Sequence, residues 1–441
     1  MTLEAKLRCV RCGYEVSEIK YVDLCPNCGG LLITHSSGPL RRSRNLGVWA
    51  WSSNLYASRM RPRITLGEGN TPLIKSSNIG KSIGLTLYLK DESKNPTGSF
   101  IDRGSATLAT ALKYFKIRSV VVPSTGDLSI SVSTYLRRVG ISSKTYIPSS
   151  VTLSKAYKNL LVSNKVRFVD SYEEALLKAL KNAQIYDAVV LPNNPFLIDG
   201  YRTIAIELVH SIGKEKPLMI VVPIGDGVLA LSTHYVLKDL QLQHKILGVR
   251  ACRESPLLRD IYVTKPILQE YLKELENLGF LEIVNVCDDE ALEASEIMVK
   301  KEGFLIGPVG ASCIAALRKV VRESMRKVVT VALMSGDPLQ DPYVIKALLE
   351  KTVKPNEQVV TLGFTKIKIL ETLAYGNQTH PYMLWKELKQ KHGLNLSRRS
   401  VYKHVEELIS LGLLKVVSYE KVGGRVRKVV TITESGLKLL S

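Results

Sequence analysis

Nowhere in its 441 residues does the sequence offer the roughly eighteen consecutive apolar residues that a membrane-spanning helix needs. The opening residues, Met1-Thr2-Leu3-Glu4-Ala5-Lys6, lack the apolar stretch of a secretory signal. The expected location is therefore the cytoplasm, by default, with no membrane partner. Cysteine is scarce: seven occur in the chain, four of them within the first 28 residues, while Cys252, Cys287 and Cys313 stand scattered. That distribution excludes the disulfide framework of a small secreted protein. Acidic residues are in deficit, 41 against 61 Lys and Arg, which leaves a net charge of +20. Such an excess favours a polyanionic partner, although a lysine-rich surface of the thermophile kind would give the same balance. Internal repeats and low-complexity tracts are also missing, which excludes a solenoid.

What is present describes a globular chain. Hydrophobic residues make up 45% and charged residues 23%, enough to bury a core, and the length calls for two to four domains. The positive charge is not spread evenly. Residues 361–441 hold 14 Lys and Arg against 6 Glu and no Asp, so the C-terminal end is the more basic part. Pattern changes divide the chain into residues 1–34, a basic connecting strap at 35–64, a long α/β region at 65–350, a linker at 351–362 and a final domain at 363–441.

Cys9-Val10-Arg11-Cys12 and Cys25-Pro26-Asn27-Cys28 form two C-x2-C pairs. Each pair turns two thiolates to one side, and four thiolates complete a tetrahedron around zinc. Gly13 and Gly29 follow the pairs, where a tight turn wants a residue free to take positive φ. The expectation is a structural zinc ribbon with Cys9, Cys12, Cys25 and Cys28 as ligands; two reactive dithiols are the weaker alternative. The strap that follows carries Arg41, Arg42, Arg44, Arg59, Arg61 and Arg63 around Trp49 and Trp51. It reads as a solvated strap packed on the next domain, with a nucleic-acid contact as the alternative.

From about Thr65 to Leu349 short apolar runs alternate with helical stretches. Ser119–Pro123, Lys144–Ile147, Val166–Val169, Ala188–Leu191, Leu218–Val222, Lys245–Val249 and Val328–Met334 read as buried parallel strands. Leu128–Val139, Tyr172–Asn182, Tyr201–Ile212 and Asp288–Lys301 read as helices between them. This rhythm predicts an open α/β fold with ligands at the carboxyl ends of its strands.

Within that region, Leu66-Gly67-Glu68-Gly69-Asn70-Thr71-Pro72-Leu73 and then Lys90-Asp91-Glu92-Ser93-Lys94-Asn95-Pro96-Thr97-Gly98-Ser99-Phe100 resemble threonine synthase. The resemblance extends from the zinc ribbon, which archaeal-type members also carry, to about Pro342. It implies a fold-type II, tryptophan synthase β-like core of the pyridoxal-phosphate enzymes. In that family a lysine follows the phenylalanine and forms the Schiff base with the cofactor. Here the run is Phe100-Ile101-Asp102-Arg103-Gly104, and isoleucine can form no imine. Lys90 and Lys94 are near in sequence but not at the required position. The family's Ser-Gly-Asn loop is replaced by Ser124-Thr125-Gly126-Asp127, and an ionised aspartate can only accept where asparagine donates. The family's phosphate loop corresponds to Pro223-Ile224-Gly225-Asp226-Gly227-Val228-Leu229. The charge of Asp226 about 4 Å from a phosphate charge would cost on the order of 4 kcal/mol. Ser335-Gly336, Gly307–Ser312 and Asp199-Gly200-Tyr201-Arg202-Thr203 match further family segments. The resemblance thus implies a ligand pocket made of Ser99, Ser124, Thr125, Gly126, Asp127, Gly225, Asp226, Gly227 and Ser335, with no catalytic lysine and with pyridoxal phosphate not expected to bind.

The C-terminal region reads as three helices, Phe364–Tyr375, Pro381–His392 and one capped by Ser397 that runs to Leu411. Pro381 suits a first turn and Gly393 a terminus. Two β-rich runs follow, Leu413–Val422 and Arg425–Thr433, joined by Gly423-Gly424 as a hairpin. Three helices and a basic hairpin predict a winged helix. Arg398, Arg399, Tyr402 and Lys403 on the third helix, with Arg425, Arg427 and Lys428 on the wing, are the candidate contacts to double-stranded DNA. Such folds also serve protein–protein contacts.

Together these readings describe a transcription regulator, expected as a homodimer, whose sensor is a threonine-synthase-like pseudoenzyme able to bind an amino acid or related metabolite. Two alternatives stand beside it: a pyridoxal-phosphate-dependent lyase that uses another lysine or a non-covalent cofactor, and a DNA-binding scaffold without a ligand.

Overall fold

Runs of Val, Ile and Leu that are apolar at every position belong in sheets covered on both faces, and amphipathic stretches supply the cover. The computed structural model describes residues 5–440 except 17, 37, 215, 256, 339–341, 353–361, 375, 376, 395, 423 and 424. The chain falls into two compact units, Met1–Thr352 and Val353–Ser441. Among the described residues no helix is long and apolar enough to cross a membrane.

The first unit begins with a small antiparallel pair, β1 (Lys6–Cys9) and β2 (Leu32–His35). Its body is built on β3 (Leu73–Lys75), β4 (Thr86–Asp91), β5 (Ser119–Pro123), β6 (Ser142–Pro148), β7 (Lys165–Val169), β8 (Ala188–Val189), β9 (Leu218–Pro223), β10 (His244–Ala251), β11 (Leu281–Val286) and β12 (Val329–Met334). One sheet has the order β11-β10-β9-β12-β4-β3, parallel except where β3 meets β4. A second, wholly parallel sheet has the order β7-β6-β5-β8. Every residue of β9 and β12 is buried. The loops that leave β5, β9 and β12 at their carboxyl ends meet at one cleft, as parallel sheets dictate.

A buried ionic cluster fixes that geometry. Arg103, in the helix Ile101–Tyr114, has no exposed side-chain surface. It donates to Glu92 (2.7 Å from both Nε and Nη2) and to Glu207 (2.7 and 2.9 Å), and also to Thr203 and Thr71. Lys90 Nζ completes the set, 2.6 Å from Glu207 Oε2. Two cations and two carboxylates therefore neutralise one another where β4, the helix Ile101–Tyr114 and the helix Pro195–Ile212 meet. Burial would raise the Glu207 pKa, but Arg103 and Lys90 outweigh it and hold it at about 2. The two helices cross at Gly104 and Gly200. A Cβ on Gly200 would fall 2.0 Å from the Arg103 carbonyl oxygen, and one on Gly104 2.6 Å from that of Leu197.

The N-terminal segment is tied to this body through Asp199. Its carboxylate accepts from Thr34 Oγ1 (2.6 Å), Tyr56 N (3.1 Å) and Ala57 N (2.8 Å). Trp49 and Trp51 of the strap are buried, while Arg41, Arg42 and Arg44 are exposed. Cys252 and Cys287 form a disulfide between the end of β10 and the start of the helix Asp288–Glu302. Nothing in their spacing announces that pairing.

The second unit has helices Phe364–Leu373, Pro381–His392 and Arg398–Ser410, the antiparallel strands β13 (Leu414–Val422) and β14 (Arg425–Ile432), and a short helix Glu434–Lys438. Ser397 Oγ accepts from Ser400 N at 3.1 Å and starts the third helix. Ile369, Leu373, Leu384, Leu388, Val401, Val405, Leu408, Leu414 and Val430 form the core. A bridge between Thr379 and Val430 adds the stretch before the second helix to the hairpin. Most of the expected linker 351–362, and the turn at Gly423-Gly424, lie outside the described residues.

Removing one partner of a buried ion pair strands the others. Arg103→Met is expected to lower the unfolding free energy by about 3–5 kcal/mol, measured by urea titration of Trp49 and Trp51 fluorescence; a loss under about 1 kcal/mol would show that the cluster is not structural. The Glu207 contribution should be complete above the ordinary value of 4.5 and vanish as pH falls through about 2, a difference that acid titrations of the wild type and Glu207→Gln would reveal.

Candidate functional site

The helix Ile101–Tyr114 starts directly after the Thr97–Phe100 loop, and Ser99 Oγ accepts from Ile101 N at 3.3 Å. This places the Ile101 side chain in the wall of a cleft of about 220 Å³. Ser99, Thr125, Asp127, Gly225, Asp226, Gly227 and Ser335 share that wall, so seven of the nine expected pocket residues do come together. Ser124 and Gly126 are not in it. The Ser124 hydroxyl accepts from Gly126 N (2.8 Å) and Ser129 N (3.1 Å) and is occupied in starting the helix Asp127–Arg138. Gly126, at φ 132°, lies under a side chain absent from the expected set: a Cβ there would stand 3.0 Å from Lys155 Cδ.

Lys155 reorganises the charges. Its Nζ lies 3.1 Å from Asp127 Oδ1 and 2.5 Å from Asp260 Oδ2, and Thr125 Oγ1 donates to Asp260 Oδ1 at 3.3 Å. Burial alone would lower the Lys155 pKa, but Asp127 and Asp260 outweigh it and push it up. Burial, reinforced by the charge of Asp127, raises the Asp260 pKa to about 6 although Lys155 opposes it. Asp127 thus faces a cation instead of standing as the lone acceptor foreseen from its sequence. The expectation for Asp226 also needs correction. Its Oδ2 accepts from Tyr172 OH at 2.8 Å and its Oδ1 from Ile267 N at 3.0 Å, while burial raises its pKa. It is turned into protein hydrogen bonds instead of presenting a bare charge to the cleft. Tyr172, Lys155 and Thr125 belong to the four-stranded half of the unit, whereas Asp226 and Asp260 belong to the six-stranded half, so these contacts join the halves across the cleft. Lys155 and Asp260 were invisible to motif reading because neither sits in a motif.

At the N-terminus the four thiol sulfurs lie within 4.8 Å of one another. Cys9 and Cys28 are separated by 3.5 Å, and Cys12 and Cys25 by 3.7 Å. Four sulfurs bound tetrahedrally at about 2.3 Å to one ion would be about 3.8 Å apart, so the set has the size of a zinc site closed to further ligands.

In the second unit Arg398, Arg399, Tyr402 and Lys403 are exposed on the third helix. Two of the expected contacts have acidic neighbours: Lys428 Nζ is 2.5 Å from Glu406 and Lys403 Nζ 3.9 Å from Glu407. Lys428 is therefore not the free cation that its sequence position implied. Arg427 lies against Tyr382, 4.9 Å from the ring centre. The Arg425 side chain lies outside the described residues.

Comparison with known proteins agrees with this architecture. The family model described as pyridoxal-phosphate dependent enzyme matches residues 64–336. The threonine synthase of Methanocaldococcus jannaschii is 29% identical over 392 residues, covering 79% of this chain and 96% of that protein. A threonine synthase of Mycobacterium tuberculosis is 29% identical over 303 residues, covering 63% and 84%. Among solved structures, threonine deaminase isoform 2 of Solanum lycopersicum superposes with a TM-score of 0.53 at 17% identity over 76% of this chain and 97% of that one. Serine racemase of Dictyostelium discoideum gives 0.52 at 20% identity over 60% and 92%. These two likenesses concern the fold alone. The family match ends at residue 336, before the second unit begins.

The thiol geometry makes a direct demand. Purified protein is expected to carry about one zinc per chain, and Cys12→Ser to lose it. Elemental analysis that finds neither zinc nor iron in freshly prepared protein would remove this assignment.

Proposed function

The chain belongs to the pyridoxal-phosphate dependent enzyme family, and from that premise we propose that it is a non-catalytic, threonine-synthase-like member acting as a DNA-binding transcription regulator. One observation carries the first half of this reading: the cleft wall holds Ile101 where an imine-forming amine is required. Lys155 is the amine that could be asked to substitute. A lysine must shed its proton before it can attack a carbonyl, and two carboxylates hold this one as an ammonium. Asp260, which shares that ammonium with Asp127, adds a carboxylate to the same cleft wall. These residues do not fit a phosphorylated, imine-bound cofactor, and no chemical step is assigned to one.

The remaining features support a sensor. The thiol cluster would hold a structural zinc, and the cleft keeps Ser99, Thr125 and Ser335 as hydrogen-bonding groups for an amino acid or a related metabolite. Its halves are joined by polar contacts that such a ligand would either reinforce or compete with, and a difference of that kind is what shifts a conformational equilibrium. Residues 363–441 have the order and core of a winged helix, with exposed cations on the third helix. Duplex DNA is the partner that this charge fits. Two copies, as a homodimer, would double the length of sequence read. The competing enzyme reading rests on the two lysines of the cleft wall, Lys155 and Lys158.

The test is spectroscopic and electrostatic. Full-length protein with added pyridoxal phosphate should show no imine absorption band and no adduct after borohydride reduction; a band that disappears in Lys155→Met would establish the enzyme reading instead. Ile101→Lys alone should not create threonine synthase activity, because Lys155, Asp127 and Asp260 remain. In the same preparation, binding to genomic DNA fragments should weaken steeply as salt rises, and absence of binding at low salt would end the regulator reading.

A further inference from the structure

The cations of the second unit are not all alike, and their partners separate them. Tyr382 and Trp385 stand side by side on the second helix, ring centres 5.8 Å apart. Arg398, the first residue of the third helix, lies over both, 4.7 Å from Trp385 and 5.3 Å from Tyr382. Arg427 of the hairpin lies over Tyr382 at 4.9 Å, Lys386 over Tyr382 at 5.3 Å and Lys389 over Trp385 at 5.9 Å. All are within the roughly 6 Å over which a ring face attracts a cation. Among the described residues none of these four is paired with a carboxylate, whereas Lys403, Lys428 and Lys391 have Glu407, Glu406 and Glu387 as neighbours.

We propose that this cation-on-aromatic cluster, shared by the second helix, the start of the third and the hairpin, is the phosphate-binding face for duplex DNA, with Tyr382 and Trp385 as its positioning residues. The proposal rests on the DNA-binding reading and moves its centre. A ring attracts a guanidinium through its face and leaves the N–H edges free, and those edges match the oxygens of a phosphate. Stacking also restricts the long side chains before any ligand arrives, so less conformational freedom is lost on binding. The start of the third helix adds its unpaired backbone N–H groups at the same place, with Ser397 capping. Rings already covered by four cations are poor platforms for unpaired bases, which favours the backbone of a duplex over single-stranded nucleic acid. Lys403 and Lys428, each beside a glutamate, release fewer counterions when they meet a phosphate.

The experiment uses the full-length chain and a random-sequence DNA duplex, titrated at several salt concentrations. Lys386→Gln, Lys389→Gln, Arg398→Gln and Arg427→Gln should each lower the slope of log K against log salt by about 0.9; Lys403→Gln and Lys428→Gln should lower it by less than half as much. Tyr382→Leu should lower the slope as an arginine loss does and Tyr382→Phe should restore it, a pattern that packing alone would not produce. Should Tyr382→Leu fail to fold, the exposed Lys386 and Lys389 still decide the matter. A slope that falls in the Lys403 and Lys428 variants but not in the cluster variants overturns the proposal while leaving DNA binding intact. Wild-type protein that ignores the duplex at low salt overturns both, and binding to polyglutamate with the same dependence on the cluster would then assign the face to an acidic protein.

Discussion

The buried set of Lys90, Glu92, Arg103 and Glu207 is the constraint on which the rest of the first unit depends. Two cations and two carboxylates can share an interior only if all four are present and in reach. Meeting that condition fixes β4, the helix Ile101–Tyr114 and the helix Pro195–Ile212 relative to one another. The start of the first of these helices then has one possible position, and the cleft follows from it. The two segments that resemble threonine synthase supply most of the surrounding polar contacts: Glu68 accepts from Tyr135, Thr71 donates to Glu92, Asn95 donates to Glu92, and Asp102 accepts from Thr97 and Ser131. Much of what makes those motifs recognisable therefore holds the fold. Ile101 lies outside this network, so the replacement of a reactive side chain there leaves the framework untouched.

The cleft illustrates how charges read singly from a sequence mislead. Asp127 and Asp226 both look like uncompensated anions facing a ligand. In three dimensions one is answered by a lysine from a helix nearly thirty residues downstream, and the other is turned to Tyr172 and a backbone N–H. The repulsion that each would exert alone is answered by these partners, of which Tyr172 reaches Asp226 across the opening. What remains of the argument against the family cofactor rests on Ile101 and on the protonated state of Lys155, with Asp260 as an anion that no motif could have suggested.

Legibility followed composition. Ser119–Pro123, Leu218–Pro223 and Val329–Met334 are nearly pure apolar runs and could be read directly as buried strands. β4 could not, because Lys90 and Asp91 are buried in it and look like surface residues. The helix Ile101–Tyr114 buries eleven of its fourteen residues, Asp102, Arg103, Ser105 and Thr107 among them, so its polar positions do not mark a solvent face. In the second unit the signals were local and strong: Pro381 at a first turn, Ser397 as a cap and Gly393 at φ 64° after a terminus all stand where chain chemistry puts them. The aromatic pair on the second helix carries no sequence signal because cations gather on it from three separate elements. Its members are adjacent only after folding.

The bond between Cys252 and Cys287 gives the chain a covalent ring with a sequence separation of 35. Closing a loop of that size removes about 4 kcal/mol worth of freedom from the unfolded chain. The ring contains Asp260, which meets Lys155 across the cleft, and Ile267, whose backbone N–H holds Asp226, the partner of Tyr172 across it. A peptide bond cut anywhere within the ring would leave the two fragments joined through sulfur. The protein would then keep its full mass on a non-reducing gel and separate into two pieces only in the presence of a thiol.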